Sequence, residues 1–374
     1  MLNKLINQLC EAADSPKKTI EAASKTTGKR VVGWVEPYAP EEIIYAAGCI
    51  PAGLWGGEVE LKKARTYLPS FACSIMQSVM EYENNGTYDI LSAVLIPAHC
   101  DTLKCFGQKW KAKCPAIPFV YPQNREPECS NAFLVSEYKM IISKLEKILD
   151  VKITDEALSD AIILYNNYRD AMRTFTEVAA DYPQTITPTV RHKMIKAAYF
   201  MDKKDYIPVI RKITSLLRLK KPETWNGKKI VATGLTMEPT ELLKIFEEFD
   251  LTVVADDLAQ ESRQFRTDVP FYGTPIDSLA KQWQNHKACS LAFDPYKSRI
   301  KHIIDLAKTT GADGVVIALM KFCDPEEYDV PIIMEACEKA GLRLLTIEID
   351  QQSNSFEQIR TRVQSFAESM DAVE

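Results

Sequence analysis

Three cysteines lie where the sequence predicts that a strand ends or a helix begins. Cys323 follows the apolar run Asp313–Leu319, whose β-branched residues predict a buried parallel strand. After it, Asp324 fits the N-cap, Pro325 fits the first helical position, and Glu327 can reach back to the backbone N–H of the cap. We therefore predict a thiol between a strand end and a helix start, where the helix dipole favours a thiolate.

Cys73 and Cys100 have similar surroundings in the first half of the chain. Cys73 follows Pro69 and Ser70, a stop and a possible cap, and falls in the first turn of a predicted helix. Cys100 comes a few residues after the predicted strand Ala93–Ile96. Thiols placed in this way in two halves of one chain could converge across a crevice on one soft metal centre. By spacing alone we favour buried cysteines that only fill space, because this is the more common role of a buried cysteine.

Neighbouring residues allow further interpretations. Cys105 follows Cys100 with the C-x4-C spacing of some iron–sulfur proteins, but no C-x2-C follows. We expect Cys105 to face the body of the helix after Cys100 and to be packed there. His99 is either a group that supports Cys100 or a hydrogen-bonded histidine at a strand end, and we favour the second. Glu36, after the first predicted strand, could be a general base, but we favour a role in neutralising the next helix start.

Two arginines follow a predicted strand in the second half. Arg263 and Arg266 lie three residues apart, so they could share a helical face and reach an anionic ligand or a partner. We favour pairing with Asp256, Asp257 or Glu261, which would hold the loop. Neither a G-x-G-x-x-G nor a G-x-x-x-x-G-K-[ST] motif is present, so a dinucleotide or P-loop nucleotide is not predicted.

Composition is that of an ordinary globular protein. The 374 residues are 46% hydrophobic and 26% charged, enough for two or three domains. With 46 basic against 51 acidic residues the net charge is -5, which argues against nucleic acid as a partner and gives no basic membrane-binding run. No segment approaches the roughly 18 apolar residues of a membrane span. We expect a cytoplasmic protein whose ten cysteines are free, buried or metal-bound rather than paired.

Strands and helices alternate at both ends of the chain and predict an α/β fold with parallel sheets. We place an N-terminal α/β domain at residues 1–129, containing Cys73 and Cys100, and begin it with one amphipathic helix. Residues 130–222 are predicted to form a helical segment, in which Thr154 caps a long helix. A C-terminal α/β domain with Cys323 then spans residues 223–374.

Several motifs also carry a family resemblance that covers nearly the whole chain. They are Pro40–Gly48, Pro69–Ser74, Cys100–Leu103, Asp256–Arg263, Lys321–Glu327 and Glu348–Gln351. Together they resemble the β, or smaller, subunits of the 2-hydroxyacyl-CoA dehydratases, anaerobic enzymes of amino-acid fermentation. The lactyl-CoA-type enzymes are the nearest.

The resemblance implies a heterodimer of related subunits, each with two Rossmann-like domains and an oxygen-sensitive [4Fe-4S] cluster on three cysteines. Matched by motif, the ligands here are Cys73, Cys100 and Cys323, and the fourth iron has no protein ligand. A larger α subunit would bind the acyl-CoA and carry the catalytic residues. A separate ATP-hydrolysing iron–sulfur activator would supply one electron. Reduction of the thioester to a ketyl radical lets hydroxide leave and makes the β-hydrogen far more acidic.

Two other functions stay open at this point. Similar cysteine motifs occur in subunits of ATP-driven iron–sulfur reductases of the benzoyl-CoA or double-cubane type. The chain could also be a docking subunit that carries a cluster without taking part in the chemistry. A dehydratase consumes no net electrons, a reductase consumes them stoichiometrically, and a docking subunit tolerates loss of its cluster. The sequence does not determine the acyl group.

Overall fold

The protein folds around two separate four-stranded parallel sheets, one in each half of the chain. The structure is a computed structural model and describes residues 1–110, 113–353 and 355–371. Asn354 and the last three residues, which belong to the predicted C-terminal domain, lie outside the described residues. The predicted α/β class with two Rossmann-like parallel-sheet domains is confirmed.

The first sheet has the strand order β2-β1-β3-β4. Its strands are β1 (Val31–Val35), β2 (Ile50–Leu54), β3 (Leu91–Pro97) and β4 (Ala116–Phe119). The helices of this half are α3 (Glu41–Ala46), α4 (Ala64–Tyr67), α5 (Ser74–Asn84) and α6 (Asp101–Lys109). Every residue of β1 and β2 is buried, as expected for parallel strands covered on both faces.

The second sheet repeats this arrangement with the order β6-β5-β7-β8. Its strands are β5 (Lys228–Gly234), β6 (Leu251–Leu258), β7 (Gly314–Met320) and β8 (Arg343–Ile349). The helices of this half are α11 (Thr240–Glu248), α12 (Ser262–Phe265), α13 (Pro275–Asn285), α14 (Ser298–Thr310), α15 (Asp324–Glu327), α16 (Val330–Lys339) and α17 (Glu357–Asp371). Because all strands are parallel, their carboxyl ends lie on one edge of each sheet.

Four long helices come between the two sheets in sequence. They are α7 (Glu128–Leu149), α8 (Asp155–Ala179), α9 (Pro188–Ala197) and α10 (Lys203–Arg218). The hydroxyl oxygen of Thr154 accepts a hydrogen bond from the backbone N–H of Ala157 at 3.1 Å, so the predicted cap of α8 is confirmed.

The prediction of a single helix at the N-terminus is wrong. Residues near the N-terminus form α1 (Leu2–Asp14) and α2 (Pro16–Thr27), because Pro16 lacks the N–H that would continue the first helix.

Two helices pack outside the half to which they are adjacent in sequence. Leu2, Ile6 and Leu9 of α1 are buried in the same core as α8 and α10. Leu279 and Trp283 of α13 are buried in the core that surrounds the first sheet. The halves are thus joined by shared cores. In the part of the chain that the structure describes, no helix combines the length and apolarity that a membrane crossing requires.

Candidate metal centre

Each of the three predicted cysteines is the N-cap residue of a helix. Cys73 precedes α5, Cys100 precedes α6 and Cys323 precedes α15. All three have the non-helical backbone that an N-cap adopts, for example φ -60° and ψ 151° at Cys73. The predicted cap at Asp324 is therefore wrong by one residue, since Cys323 takes that position and Asp324 is the first helical residue. Cys73 likewise lies just before its helix rather than in the first turn.

The three cysteines line one cavity of about 800 Å³ between the two halves of the chain. Cys100 follows β3 and Cys323 follows β7, so the cavity lies at the carboxyl edges of both sheets. This is the edge at which open α/β sheets bind ligands. Two of the thiols, those of Cys73 and Cys100, are half-buried, and Cys323 is buried. The predicted convergence of the three cysteines is thus present in the fold.

Burial dominates the electrostatics of the Cys73 thiol. It raises the pKa of Cys73 to about 11, although the backbone N–H groups of Met76 and Ile75 favour the thiolate. The thiolate of Cys100 raises the pKa of Cys73 further. The N–H groups at the helix start therefore lower the pKa of the Cys73 thiol, as predicted, but the desolvation of the sulfur raises this pKa by more.

The other two thiols behave in the same way. Burial raises the pKa of Cys100, and the N–H groups of Leu103 and Thr102 only partly oppose it. Burial also raises the pKa of Cys323 well above its usual range, with further contributions from the negative charges of Glu326 and Cys73. Cys100 contributes to the raised pKa of Cys73, and both contribute to the raised pKa of Cys323, so a cation bound among the three sulfurs would favour their thiolate forms.

The donor set consists of three cysteine thiols, which are chemically suited to hold an iron–sulfur cluster. Among the described residues, no group of three or more His, Cys, Asp or Glu side chains is arranged to hold one metal ion. A zinc ion would need its sulfur ligands at about 2.3 Å, which requires the sulfurs to be close together. A cluster of several irons spreads its thiolate ligands further apart, and three soft thiolates are the ligands it prefers.

Cys105 lies in the body of a helix as predicted, but the expectation that it is packed there is wrong. It lies within α6, five residues after Cys100, and its side chain is exposed. Because this segment is helical, Cys105 points away from the face that carries the cap residue, and it does not line the cavity. The local C-x4-C pair therefore does not form one site.

Glu36 and His99 also line the cavity, and both favoured interpretations of them are wrong. Glu36 is buried after β1 and makes no hydrogen bond to the start of α3, where Glu41 and Glu42 supply the acidic first turn. Neither carboxyl oxygen of Glu36 nor either ring nitrogen of His99 has a hydrogen-bond partner among the described residues. The side chain of Gln260 lies near Glu36 without completing a hydrogen bond.

The interpretation that Arg263 and Arg266 hold a loop is confirmed. Arg263 donates to Asp257 at 2.8 Å and to Glu326 at 2.9 Å, and Arg266 donates to Asp257 at 2.7 Å. Arg299 joins the same buried group, with 2.8 Å between its Nε and an Asp257 oxygen. Through Glu326, which lies in the first turn of α15, this network holds the helix start that Cys323 caps.

One residue of the cavity wall gave no signal in the sequence. Phe322, directly before Cys323, has φ +65°, a left-handed conformation that a bulky residue rarely adopts. Its ring is 43% exposed and lines the cavity. A turn predicted from sequence would place glycine at such a position, so Phe322 could not have been identified without the structure.

Comparison with known proteins shows the family to which the chain belongs. A family model described as 2-hydroxyglutaryl-CoA dehydratase, D-component, matches residues 37–370. The chain is 48% identical, over 98% of each chain, to a lactoyl-CoA dehydratase subunit beta of Anaerotignum propionicum. The chain belongs to the family of 2-hydroxyacyl-CoA dehydratase β subunits.

Two further relatives have lower sequence identity to this chain. It is 43% identical to a (R)-phenyllactyl-CoA dehydratase beta subunit of Clostridium sporogenes, over 98% of this chain and 99% of the other. Identity falls to 24%, over 91% of each chain, for a subunit of the benzoyl-CoA reductase of Thauera aromatica. The resemblance found in the sequence motifs is confirmed.

Proposed function

We propose that the chain is the β subunit of an oxygen-sensitive (R)-2-hydroxyacyl-CoA dehydratase, a hydro-lyase that forms the 2-enoyl-CoA from a lactyl-CoA-like substrate. The observation that carries this proposal is the convergence of three helix-capping cysteines on one cavity at the carboxyl edges of two sheets. The identity to lactoyl- and phenyllactyl-CoA dehydratase β subunits supports the reaction class.

Cys73, Cys100 and Cys323 would hold a [4Fe-4S] cluster. When bound, the cluster would pass or hold the single electron used to reduce the thioester. The protein's own contribution is to position the thiolates. The backbone N–H groups of Ile75 and Thr102, for example, lie in the first helical turns after Cys73 and Cys100 and stabilise negative sulfur.

The remaining parts of the proposal come from the family. The heterodimer includes a larger homologous α subunit that binds the acyl-CoA, and an ATP-dependent iron–sulfur activator delivers the electron for a ketyl-radical mechanism in the cytoplasm. This chain would then carry no acid–base group that acts on the substrate. The relatives named as β subunits support the need for a partner.

The test of the function is reconstitution. The chain should turn a 2-hydroxyacyl-CoA into the enoyl-CoA only with its larger partner and the activator present, and with no net consumption of electrons. Turnover by the chain and activator alone would contradict the heterodimer. Stoichiometric electron consumption would instead support a reductase, the alternative that the similarity to part of a benzoyl-CoA reductase favours.

The test of the ligands uses four cysteine variants. The anaerobically purified chain should be brown and carry about four irons, and Cys→Ala at 73, 100 or 323 should lose or degrade the cluster. Cys105→Ala is the matched control, because the exposed Cys105 lies on the helix that Cys100 caps. It should keep the iron content, the EPR spectrum and most of the activity. Loss of the cluster in Cys105→Ala alone would refute the assignment, and full activity without a cluster would indicate a docking subunit.

A further inference from the structure

The sequence motif Glu348–Gln351 is part of the family resemblance, yet it contains no cysteine. Gln351 follows the carboxyl end of β8, is 1% exposed and does not line the cavity between the two halves. Ser74, the residue after Cys73, is 5% exposed and does not line that cavity either. The lining of the cavity therefore does not explain why these two polar side chains are buried.

Ser74 connects the segments that carry Cys73 and Cys323. Its hydroxyl donates a hydrogen bond to the sulfur of Met320, the last residue of β7, at 3.2 Å. The backbone carbonyl of Met320 in turn accepts from the backbone N–H of Cys323 at 3.0 Å. The helix start at Cys73 is thus attached to the strand end before Cys323 through a single residue of each half.

Gln351 supplies a second connection between the same two parts of the fold. Its backbone N–H donates to the hydroxyl oxygen of Ser74 at 3.1 Å. Its side-chain oxygen accepts from the Ser78 hydroxyl and from the backbone N–H of Gly57, both at 3.1 Å. Ser78 lies about one turn after Ser74 on α5. Gln351, which belongs to the second half, therefore holds two successive turns of the helix that Cys73 caps.

The other end of the Gln351 side chain is fixed by a buried carboxylate. Its Nε2 donates to Glu238 at 3.0 Å, and Glu238 also contacts Lys196 and His192 of α9. The orientation of the amide follows from its partners, because the N–H of Gly57 can only donate and the carboxylate of Glu238 can only accept. Glutamine can bind both at once, since it carries a donor and an acceptor.

The amide of Gln351 also lies in closely packed surroundings. A Cβ added at Gly56 would lie 2.9 Å from the side-chain oxygen of Gln351 and 2.8 Å from the hydroxyl oxygen of Ser78. Gly56 has φ +80°, so this loop both needs glycine and approaches the amide closely. Dense packing of this kind restricts a side chain to one rotamer.

We propose that Ser74 and Gln351 are positioning residues that fix the helix start at Cys73 relative to the strand end before Cys323, so that thiols from different halves of the chain can hold one cluster. This inference rests on the proposed function and extends it from the ligands to the contacts that orient them. Replacing a group that orients a metal ligand typically weakens metal binding by about 10–100-fold. We expect an effect of this size on the retention of iron.

The experiment measures how fast the full-length chain, loaded with iron and sulfide without oxygen, loses iron to an excess of chelator. EPR spectra of the reduced protein are the second readout. Gln351→Leu keeps the approximate size of the side chain but removes its hydrogen bonds, so it should release iron about 10–100 times faster than wild type and alter the EPR line shape. Ser74→Ala is a smaller change that should act in the same direction, and it decides the question if Gln351→Leu does not fold.

A paired exchange tests the hydrogen bond between Gln351 and Glu238 directly. The double variant Gln351→Glu/Glu238→Gln reverses the donor and the acceptor, because the new amide at position 238 can donate to the new carboxylate at position 351. That carboxylate can still accept from Ser78 and Gly57. The double variant should therefore release iron more slowly than Gln351→Leu.

Glu42→Gln is the control for global stability. Glu42 is 2% exposed and pairs with Arg169 at 2.5 Å, joining α3 to α8 without a hydrogen bond to Ser74 or Gln351. Because a buried ion pair is broken, the urea midpoint of the metal-free chain should fall at least as far as in Gln351→Leu. The rate of iron release and the EPR spectrum should nevertheless stay those of wild type.

The outcomes separate this inference from the proposed function. If wild type binds no iron, the proposed function fails and this inference fails with it. If wild type binds the cluster but Ser74→Ala and Gln351→Leu release iron at the wild-type rate, the positioning role is wrong while the ligand assignment stands. Equally fast release from Glu42→Gln, or a double variant that releases iron as fast as Gln351→Leu, would also overturn the positioning role.

Discussion

Replacing Glu326 with glutamine should destabilise the fold and also loosen Cys323, the proposed cluster ligand. Glu326 is 1% exposed and lies in the first turn of α15, where its backbone N–H donates to the carbonyl of Cys323 at 3.0 Å. One carboxyl oxygen accepts from Arg263 at 2.9 Å and from Ser290 at 2.7 Å, and the other accepts from Arg299. Glutamine keeps the shape of the side chain but removes the charge that these two buried arginines share.

The expected loss of unfolding free energy follows from the burial of the ion pairs that Glu326 makes with Arg263 and Arg299. Removing one partner from a buried ion pair costs about 3–5 kcal/mol, since the remaining charge cannot return to water. Arg263 is 0% and Arg299 2% exposed at the side chain, so neither is solvated after the change. Because glutamine still accepts one hydrogen bond, we expect the lower end, about 3 kcal/mol. With an m value of about 3 kcal/mol per M, the urea midpoint should fall by roughly 1 M.

The measurement is urea unfolding of the metal-free chain, with iron content per chain as a second readout. Arg211→Gln is the control, because it breaks an ion pair with Asp170 that is 3.3 Å long and about half exposed. That change should cost less than about 1 kcal/mol and leave the iron content unaltered. A Glu326→Gln variant that is as stable as the control would refute the argument from burial. Full iron loading in a destabilised variant would refute the link to Cys323.

Two further predictions concern the second half of the fold. Gly234→Ala should lower the unfolding free energy by at least about 3 kcal/mol, because φ is +140° and the new Cβ would lie 2.1 Å from a carbonyl oxygen of β7. Gly311→Ala is the control, because Gly311 has φ +62° but open space around it, and this change should cost about 1 kcal/mol. Burial opposes ionisation of Glu238, but Lys196 and His192 outweigh it and lower its pKa to about 2. This stabilisation is present above about pH 4.3 and lost as the pH falls towards 2, so urea unfolding should show a loss of up to about 3 kcal/mol there, which Glu238→Gln should flatten.

Local patterns in the sequence were enough to predict most elements and the positions of the cysteines along them. The apolar β-branched run ending at Leu319 predicts β7, and Thr154 predicts the start of α8, because burial periodicity and capping act over a few residues. These local signals do not determine the exact residue at which a helix or strand begins or ends. Pro16 divides the N-terminal helix, and Cys323 rather than Asp324 takes the cap, since several neighbouring residues could satisfy the same local preference.

Only the tertiary structure decided which residues meet. The sequence motifs imply that Cys73, Cys100 and Cys323 act together, but their shared cavity exists because cores formed by both halves set the distance between two sheet edges. The roles of Glu36 and His99 were misjudged for the same reason. Whether a buried carboxyl or imidazole has a partner depends on side chains distant in the sequence, and no local pattern reports an unpaired group.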